Sequence, residues 1–443
     1  MRATEPPRWL QPLLLALPFV IGIAVLRGLT VEIDTFHASD ARVYQLPTIL
    51  QLSERLNLSD YPSAQTPLYH LLTAGWGKLV GFDLWKLRLL NVAFSYAMGL
   101  ALLRLLRRAT PLAAWPAFAL TLLFVLSPYV LGTSFTLLTD NLAILFALLA
   151  LERIHAWSRS ESLGDFGLAC AAIAAALLTR QAFIWLVPLA AFFLITSPAP
   201  PQRRYAGAGL LALALVPLGA LVLDWNGLVP PSADPASCGL CEDRQGLARD
   251  ALSLRTVGFT VALAGGYGVF VFGPSAWRRL RRLRSSALAR TWLGVTGQVR
   301  DARRLVGAAI AVGVVLLLVS PLAYRPITAA AAGDAGYLWK LSDRLPELLG
   351  SSLAFWLLVP LGCVAIALLV SRAGLWSLPA VYLASFLLAA LPVRLGYQKY
   401  FDPFVLLGLA LLARPPDLER RWDYVGVALM CVAFVAYAIS FAG

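Results

Sequence analysis

An all-α, polytopic membrane protein is the fold class this sequence predicts, on three observations. Hydrophobic residues make up 59% of the 443 and charged residues 14%, with a mean hydropathy of +0.73; a soluble domain does not carry that balance. Apolar runs recur along the chain at lengths suited to a bilayer core of roughly 30 Å, which takes about 20 residues per helix. The runs are continuous Leu, Ala and Val without alternation. That selects helices, which satisfy their own backbone groups in lipid, over a barrel.

About thirteen spans are expected, at 10–28, 88–106, 112–130, 136–152, 165–179, 182–196, 206–223, 256–273, 305–323, 352–371, 374–391, 403–413 and 423–441. The first has only Arg2 and Arg8 before it and no small-residue cleavage site after it, so it reads as a retained span and not a signal peptide. No polar stretch reaches the roughly 50 residues of a soluble domain except 31–87, which Pro47, Pro62 and Pro67 break up. That stretch is expected to form two short amphipathic helices on the membrane surface and a partly apolar return helix over 67–81. Residues 1–443 are thus read as one membrane-embedded unit. No repeat of solenoid period is present.

Orientation follows from the basic residues, because Lys and Arg in short loops favour the cytoplasmic side. Arg104, Arg107 and Arg108 close the second span, Arg203 and Arg204 precede the seventh, and Arg414, Arg420 and Arg421 precede the last. WRRLRRLRSSALAR at 277–290 runs on to Arg300, Arg303 and Arg304. All fall on one side when the N-terminus is cytoplasmic. The acid-richer loops 31–87, 224–255, 324–350 and 392–402 then lie outside, as does the C-terminus, and the expected location is a cytoplasmic (inner) membrane. The net charge of +13 is therefore a topology signal and not a nucleic-acid footprint. The basic 277–304 loop reads either as a contact with anionic lipid at the inner leaflet or as a docking site for a partner.

Cys170, Cys363 and Cys431 fall within predicted spans and read as small core residues. Cys238 and Cys241 form a CGLC pair in an external loop, open to a disulfide, to free thiols or to redox or metal chemistry.

The loop after the first span, VEIDTFHASDARVYQLPTILQLSERLNLSDYPSAQTPLYH at 31–70, holds two of the three histidines. Asp34, three residues before His37 and six before Asp40, shares a helical face with His37. A carboxylate there suits the role of base for a hydroxyl when partial burial against Phe36 and Tyr44 raises its basicity and His37 orients it; the alternative is a solvated helix-capping acid. Asp60 and His70 read either as site residues or as rim and turn residues. Arg180 lies between two short apolar runs, where charge is expensive. Asp140 is placed to reach it, as an ion-pair partner or with one of the two contacting a sugar or phosphate. In RLGYQKYFDP at 394–403, Arg394 and Lys399 either bind a lipid phosphate or serve as interfacial anchors. Trp339, with Lys340, is either a belt residue or a sugar platform.

IDTFHASDARVYQ resembles the (D)E-I-F-H-x-x-Q-A-x-x-Y segment after the first span of the ER α-1,2-glucosyltransferase family, which takes glucose from dolichyl-phosphate-glucose. Asp34 stands at the family acid, and His37, Ala41 and Tyr44 match. DYPSAQTPLYHLL is similar to W-D-P-K-I-T-T-P-P-G-L-Y, with Asp60, Pro62, Thr66, Pro67 and Tyr69 in register. Arg88-Leu89-Leu90-Asn91 resembles its R-x-x-N, Leu138-Thr139-Asp140 its Y-T-D, and the stretch from Arg180 and Gln181 to Trp185 its R-Q-T-N-I-x-W. The family's Lys is absent, and Ile33 replaces the first acid of its pair.

The resemblance implies an inverting membrane glycosyltransferase of the C type, fed by a polyprenyl-phosphate sugar donor and serving a lipid-linked glycan, polysaccharide or protein acceptor outside the membrane. Asp34 and His37 are then the catalytic pair. Substrate contacts are expected from Asp40, Tyr44, Asp60, Tyr61, Tyr69 and His70, with Asp140, Arg180, Gln181, Arg394 and Lys399 on the phosphate and sugar. The family requires no metal, although Asp34, Asp40 and Asp60 offer oxygen ligands for Mg²⁺ or Mn²⁺. A transporter or flippase of lipid-linked sugars is the alternative class. It places polar groups near the bilayer midplane, whereas here they concentrate in one loop.

Overall fold

The computed structural model describes residues 7, 9–29, 40–233, 253–285, 296–324, 336–393 and 397–439. Asp34, His37, Arg394, Cys238 and Cys241 lie outside them.

Helix α1 spans Leu10–Val25. A π-helical turn at Ala41–Gln45 runs directly into α2, Leu46–Glu54, and an extended stretch leads to α3, Leu68–Val80, which Gly81 ends with a φ of 99° that suits glycine. Next come α4, Leu84–Ala109, then α5, Ala114–Leu126, and α6, Pro128–Ser134. The break between the last two falls where Pro128 holds Ser127 in an extended conformation. Helices α7, Asp140–Ser160, and α8, Leu163–Thr179, precede a 3-10 turn at Gln181–Trp185 that enters α9, Leu186–Ile195. Helix α10, Pro201–Trp225, begins with proline, whose missing N–H costs nothing at a first turn, and ends on Asn226 in the left-handed region. Farther on are α11 (Leu254–Ser285), α12 (Thr296–Val319), α13 (Tyr337–Asp343), α14 (Leu353–Ala373), α15 (Leu378–Ala390), α16 (Asp402–Leu412) and α17 (Tyr424–Ile439).

Every predicted apolar run coincides with a helix or a helix pair. Among the described residues six helices are both long and apolar enough to cross a membrane, or seven if the bent pair α5 and α6 is one span, and four more apolar helices are shorter. Among the described residues of the first loop, a continuous helical run from Ala41 to Glu54 lies ahead of α3 and is followed by a stretch whose side chains bond to neighbouring helices; the part of the loop before Asp40 lies outside the described residues.

The chain divides into two compact units, one of residues 1–109, 125–242 and 434–443, the other of 110–124 and 243–433. In the first, α7 packs between α4 and α8, α10 lies on α8, α1 on α4, and α2 on α3. Trp157 and Phe166, both fully buried, join α7 to α8 with ring centroids 5.2 Å apart.

In the second unit α11 and α12 pack on α14. Gly265 sits against the Leu358 carbonyl and Gly362 against that of Val261, where a Cβ has no room; small residues let backbones approach in this way when lipid supplies no hydrophobic drive. Beside this crossing, Trp339 is 0% exposed. It stacks on Phe259 at 4.5 Å with the Arg255 guanidinium 4.8 Å from its ring centroid. Trp339 is therefore neither a belt residue nor a sugar platform, because α13 turns its face into the aromatic core. A two-residue hairpin pairs Glu347–Leu348 with Ser351–Ser352 through Leu349 and Gly350, both at positive φ, as a tight hairpin turn requires. Cys170 is buried and Cys363 and Cys431 half-buried, all three as free thiols.

Candidate active site

The described residues that flank positions 30–39 are anchored within the first unit. On the upstream side the Arg88 guanidinium donates to the Leu29 carbonyl at 2.7 Å. Arg88 is only 5% exposed on α4, and Arg42 stands within Coulombic reach of it. On the downstream side the π-helical turn presents Gln45, whose Oε1 accepts from His70 Nε2 at 2.6 Å. Inserted π turns often mark functional positions because the extra residue re-aims side chains.

Residues 57–66 are held by their own side chains and backbone. Gln51 donates to the Asp60 carbonyl at 2.9 Å, the Tyr61 hydroxyl to Gln65 O at 2.8 Å, Thr66 to Leu177 O at 2.7 Å, and Gln181 to Ala64 O at 2.8 Å. Trp225 donates to Leu58 O at 2.7 Å, and the Asp60 carboxylate accepts from Ser232 N at 2.7 Å. The Asp-Tyr-Pro to Tyr-His stretch is thus a structured strap.

Asp140 opens α7 and forms a nearly buried ion pair with Arg180 at the end of α8. Two asparagines position the acid. Asn91 donates to the carbonyls of Thr133 and Thr136, each at 2.6 Å. Asn141 donates to Ser95, Ser134 and the Val130 carbonyl and accepts from Thr133. Together they fasten α6 and the following turn to α4, so the R-x-x-N and T-D residues act through one buried network. Tyr69 lies within Coulombic reach of Asp140, and its ring meets His70 edge-on at 5.5 Å.

Tyr61, Tyr69, His70, Asp140, Arg180 and Gln181 therefore belong to one polar neighbourhood, in which Asp140 and Gln181 are half-buried and the others buried. Asp60, half-buried, serves the turn toward Ser232, and Asp40 and Tyr44 are half-buried at the π-helical turn. Lys399 is in the second unit, buried between the rings of Tyr397 and Tyr400. Next to it the fully buried Asp402 accepts from Tyr267, Tyr337 and Gln398, which anchors that turn. Arg42 and Arg88 were not among the expected contacts; the signal for Arg88 was a charge inside an apolar run, and Arg42 had none. Asp40 and Asp60 belong to no cluster of three metal-ligating side chains among the described residues.

Burial sets the protonation of the strap. It pushes the Tyr61 and Tyr69 phenols up, so both remain O–H donors. His70, at 0% exposure, is pushed down to about 3 by the same desolvation. It is therefore no rim residue and stays neutral at physiological pH. Because the unfolded chain binds a proton near pH 6.5 and the folded chain does not, stability is fully present above pH 6.5 and falls as pH drops toward 3. The loss is about 1.4 kcal/mol per pH unit at most. Thermal melting in detergent between pH 7 and 5 is expected to show this slope in the native chain and to lose it in His70→Gln; equal slopes would rule it out.

No curated protein matches the chain. Residues 64–222 match the family model described as dolichyl-phosphate-mannose-protein mannosyltransferase, a stretch that contains the end of the strap from Ala64 onward, Arg88, Asp140 and Arg180. The match supports a membrane glycosyltransferase of the C type using a polyprenyl-phosphate sugar, and it supports that superfamily and not the particular glucosyltransferase family.

Proposed function

We propose that the chain is an inverting glycosyltransferase that moves a hexose from a polyprenyl-phosphate carrier to a glycan, lipid-linked or protein acceptor on the outer face of a cytoplasmic membrane, with Asp34 as general base. About thirteen spans and a cytoplasmic N-terminus belong to this reading. The observation that carries it is the match of residues 64–222 to a polyprenyl-phosphate-dependent glycosyltransferase family, a stretch that holds the buried Arg88, bonded to the Leu29 carbonyl, and the nearly buried Arg180–Asp140 pair.

The chemistry follows from those groups. Asp34 takes the acceptor hydroxyl proton as that oxygen bonds to the anomeric carbon from the face opposite the phosphate. The bond from the anomeric carbon to the phosphate oxygen breaks, and polyprenyl phosphate leaves with the electron pair. Arg88, Arg42 and Arg180 meet the growing negative charge. Mannose is the first sugar to try, given the description of the matched family. The base needs no metal for this proton transfer.

Purified protein given synthetic polyprenyl-phosphate sugars and an acceptor extract is expected to release polyprenyl phosphate and to form a new glycosidic bond, unaffected by a chelator. Movement of the sugar lipid across vesicles without that bond would instead establish a flippase.

A further inference from the structure

At the opposite end of the same helices lies a second concentration of charge, which plays no part in the transfer chemistry. It is assembled from the last turns of α4 and α7 and the first turns of α8 and α10. Glu152, 3% exposed, takes both Arg104 and Arg108, and Asp165 takes Arg153 at 3.0 Å. Those two carboxylates are thereby committed. Arg107, Arg159, Arg203 and Arg204 have no carboxylate within 4.0 Å among the described residues. Arg203 and Arg204 reach only the carbonyls of Glu161 and Ile195, each at 3.4 Å, the long limit of a hydrogen bond. The Arg204 Nε and His155 Nε2 atoms are buried with no partner.

Unneutralised guanidiniums with spare donors, set at the end of apolar helices, match one ligand chemistry: a phosphodiester held at headgroup depth. Arg suits it because its planar fork bonds two phosphate oxygens. We propose that this end of the first unit is a binding site for anionic phospholipid headgroups, formed by Arg203 and Arg204 with Arg159 and Arg107 nearby. A lipid is favoured over free phosphate because α10 presents a lipid-compatible wall beside the arginines, with Tyr205 and Leu213 among its exposed apolar residues. In the orientation the arginines predict, this end faces the inner leaflet, where acidic lipids attract basic segments.

Each arginine near an anionic surface contributes about a fivefold preference. Native mass spectrometry of the full chain in detergent, titrated with phosphatidylglycerol or phosphatidylcholine, is expected to show tight retention of phosphatidylglycerol alone. In Arg203→Gln/Arg204→Gln that retention is expected to weaken by about 25-fold, with the melting temperature in phosphatidylcholine unchanged. Raising salt on the native chain is expected to weaken it likewise, which provides a readout even if the variant fails to fold. Equal retention of both lipids, or a folded variant that binds as the native chain does, overturns the site. Displacement of the lipid by glycerophosphate at matching concentration overturns the lipid assignment in favour of free phosphate.

Discussion

Asp34→Asn is expected to lower the turnover of polyprenyl-phosphate sugar by about 10²–10⁴-fold, the range over which a positioned base contributes. The amide matches the carboxylate in size and retains an acceptor oxygen, so substrate binding and KM should change little. What it cannot do is accept the acceptor's proton as the new bond forms. The loss should therefore appear in kcat and in release of polyprenyl phosphate measured at saturating donor. Asp34→Glu keeps the charge but moves it by one methylene, and it should retain more activity than the amide. If Asp34→Asn turns over within about threefold of the native chain, well below the expected range, the base lies elsewhere and Asp34 is a capping acid.

The second large effect concerns Asp140 and Arg180. Breaking a buried ion pair from one side leaves an uncompensated charge, at about 3–5 kcal/mol, and this pair is nearly buried on both sides. Arg180→Gln and Asp140→Asn are each expected to melt earlier by that measure, whereas the double variant should recover most of the stability, because replacing both charges removes the desolvation cost with the attraction. Turnover should separate the two roles. In the proposed mechanism Arg180 also meets the departing phosphate, so the double variant should regain its melting temperature and remain slow. Recovery of both quantities in the double variant would leave Arg180 a purely structural partner.

Much of this architecture was legible because it depends on local properties. A run of Leu, Ala and Val is helical in lipid whatever it packs against, and so the predicted runs found their helices with ends displaced by a few residues. Prolines marked breaks: Pro128 divides α5 from α6. The candidate site was legible in part. Asp140 and Arg180 read as an ion pair or as a pair of which one contacts sugar or phosphate, because charge beside apolar runs needs a partner, and in the structure the two do meet. Asn91 and Asn141 were harder to read, since an asparagine at a helix surface looks the same whether it faces lipid, solvent or another turn.

Burial misled the reading of individual aromatics and histidines. Trp339 had the sequence surroundings of an interfacial residue, yet it packs between Phe259 and Arg255. His70 reads in the sequence either as a site residue or as a rim group, and its partner Gln45 is 25 positions away. Neither contact leaves a periodic trace in the chain.

Composition and the order of residues determined by themselves that this is a helical membrane protein and where its helices run, because hydrophobic transfer acts on each segment independently. Tertiary structure alone decided that Arg88 grips Leu29, that Asn91 and Asn141 fasten the turn before Asp140, and that arginines without carboxylate partners gather at the opposite helix ends. Those arrangements join residues tens of positions apart, and only the packed helices bring their donors and acceptors to within about 3 Å.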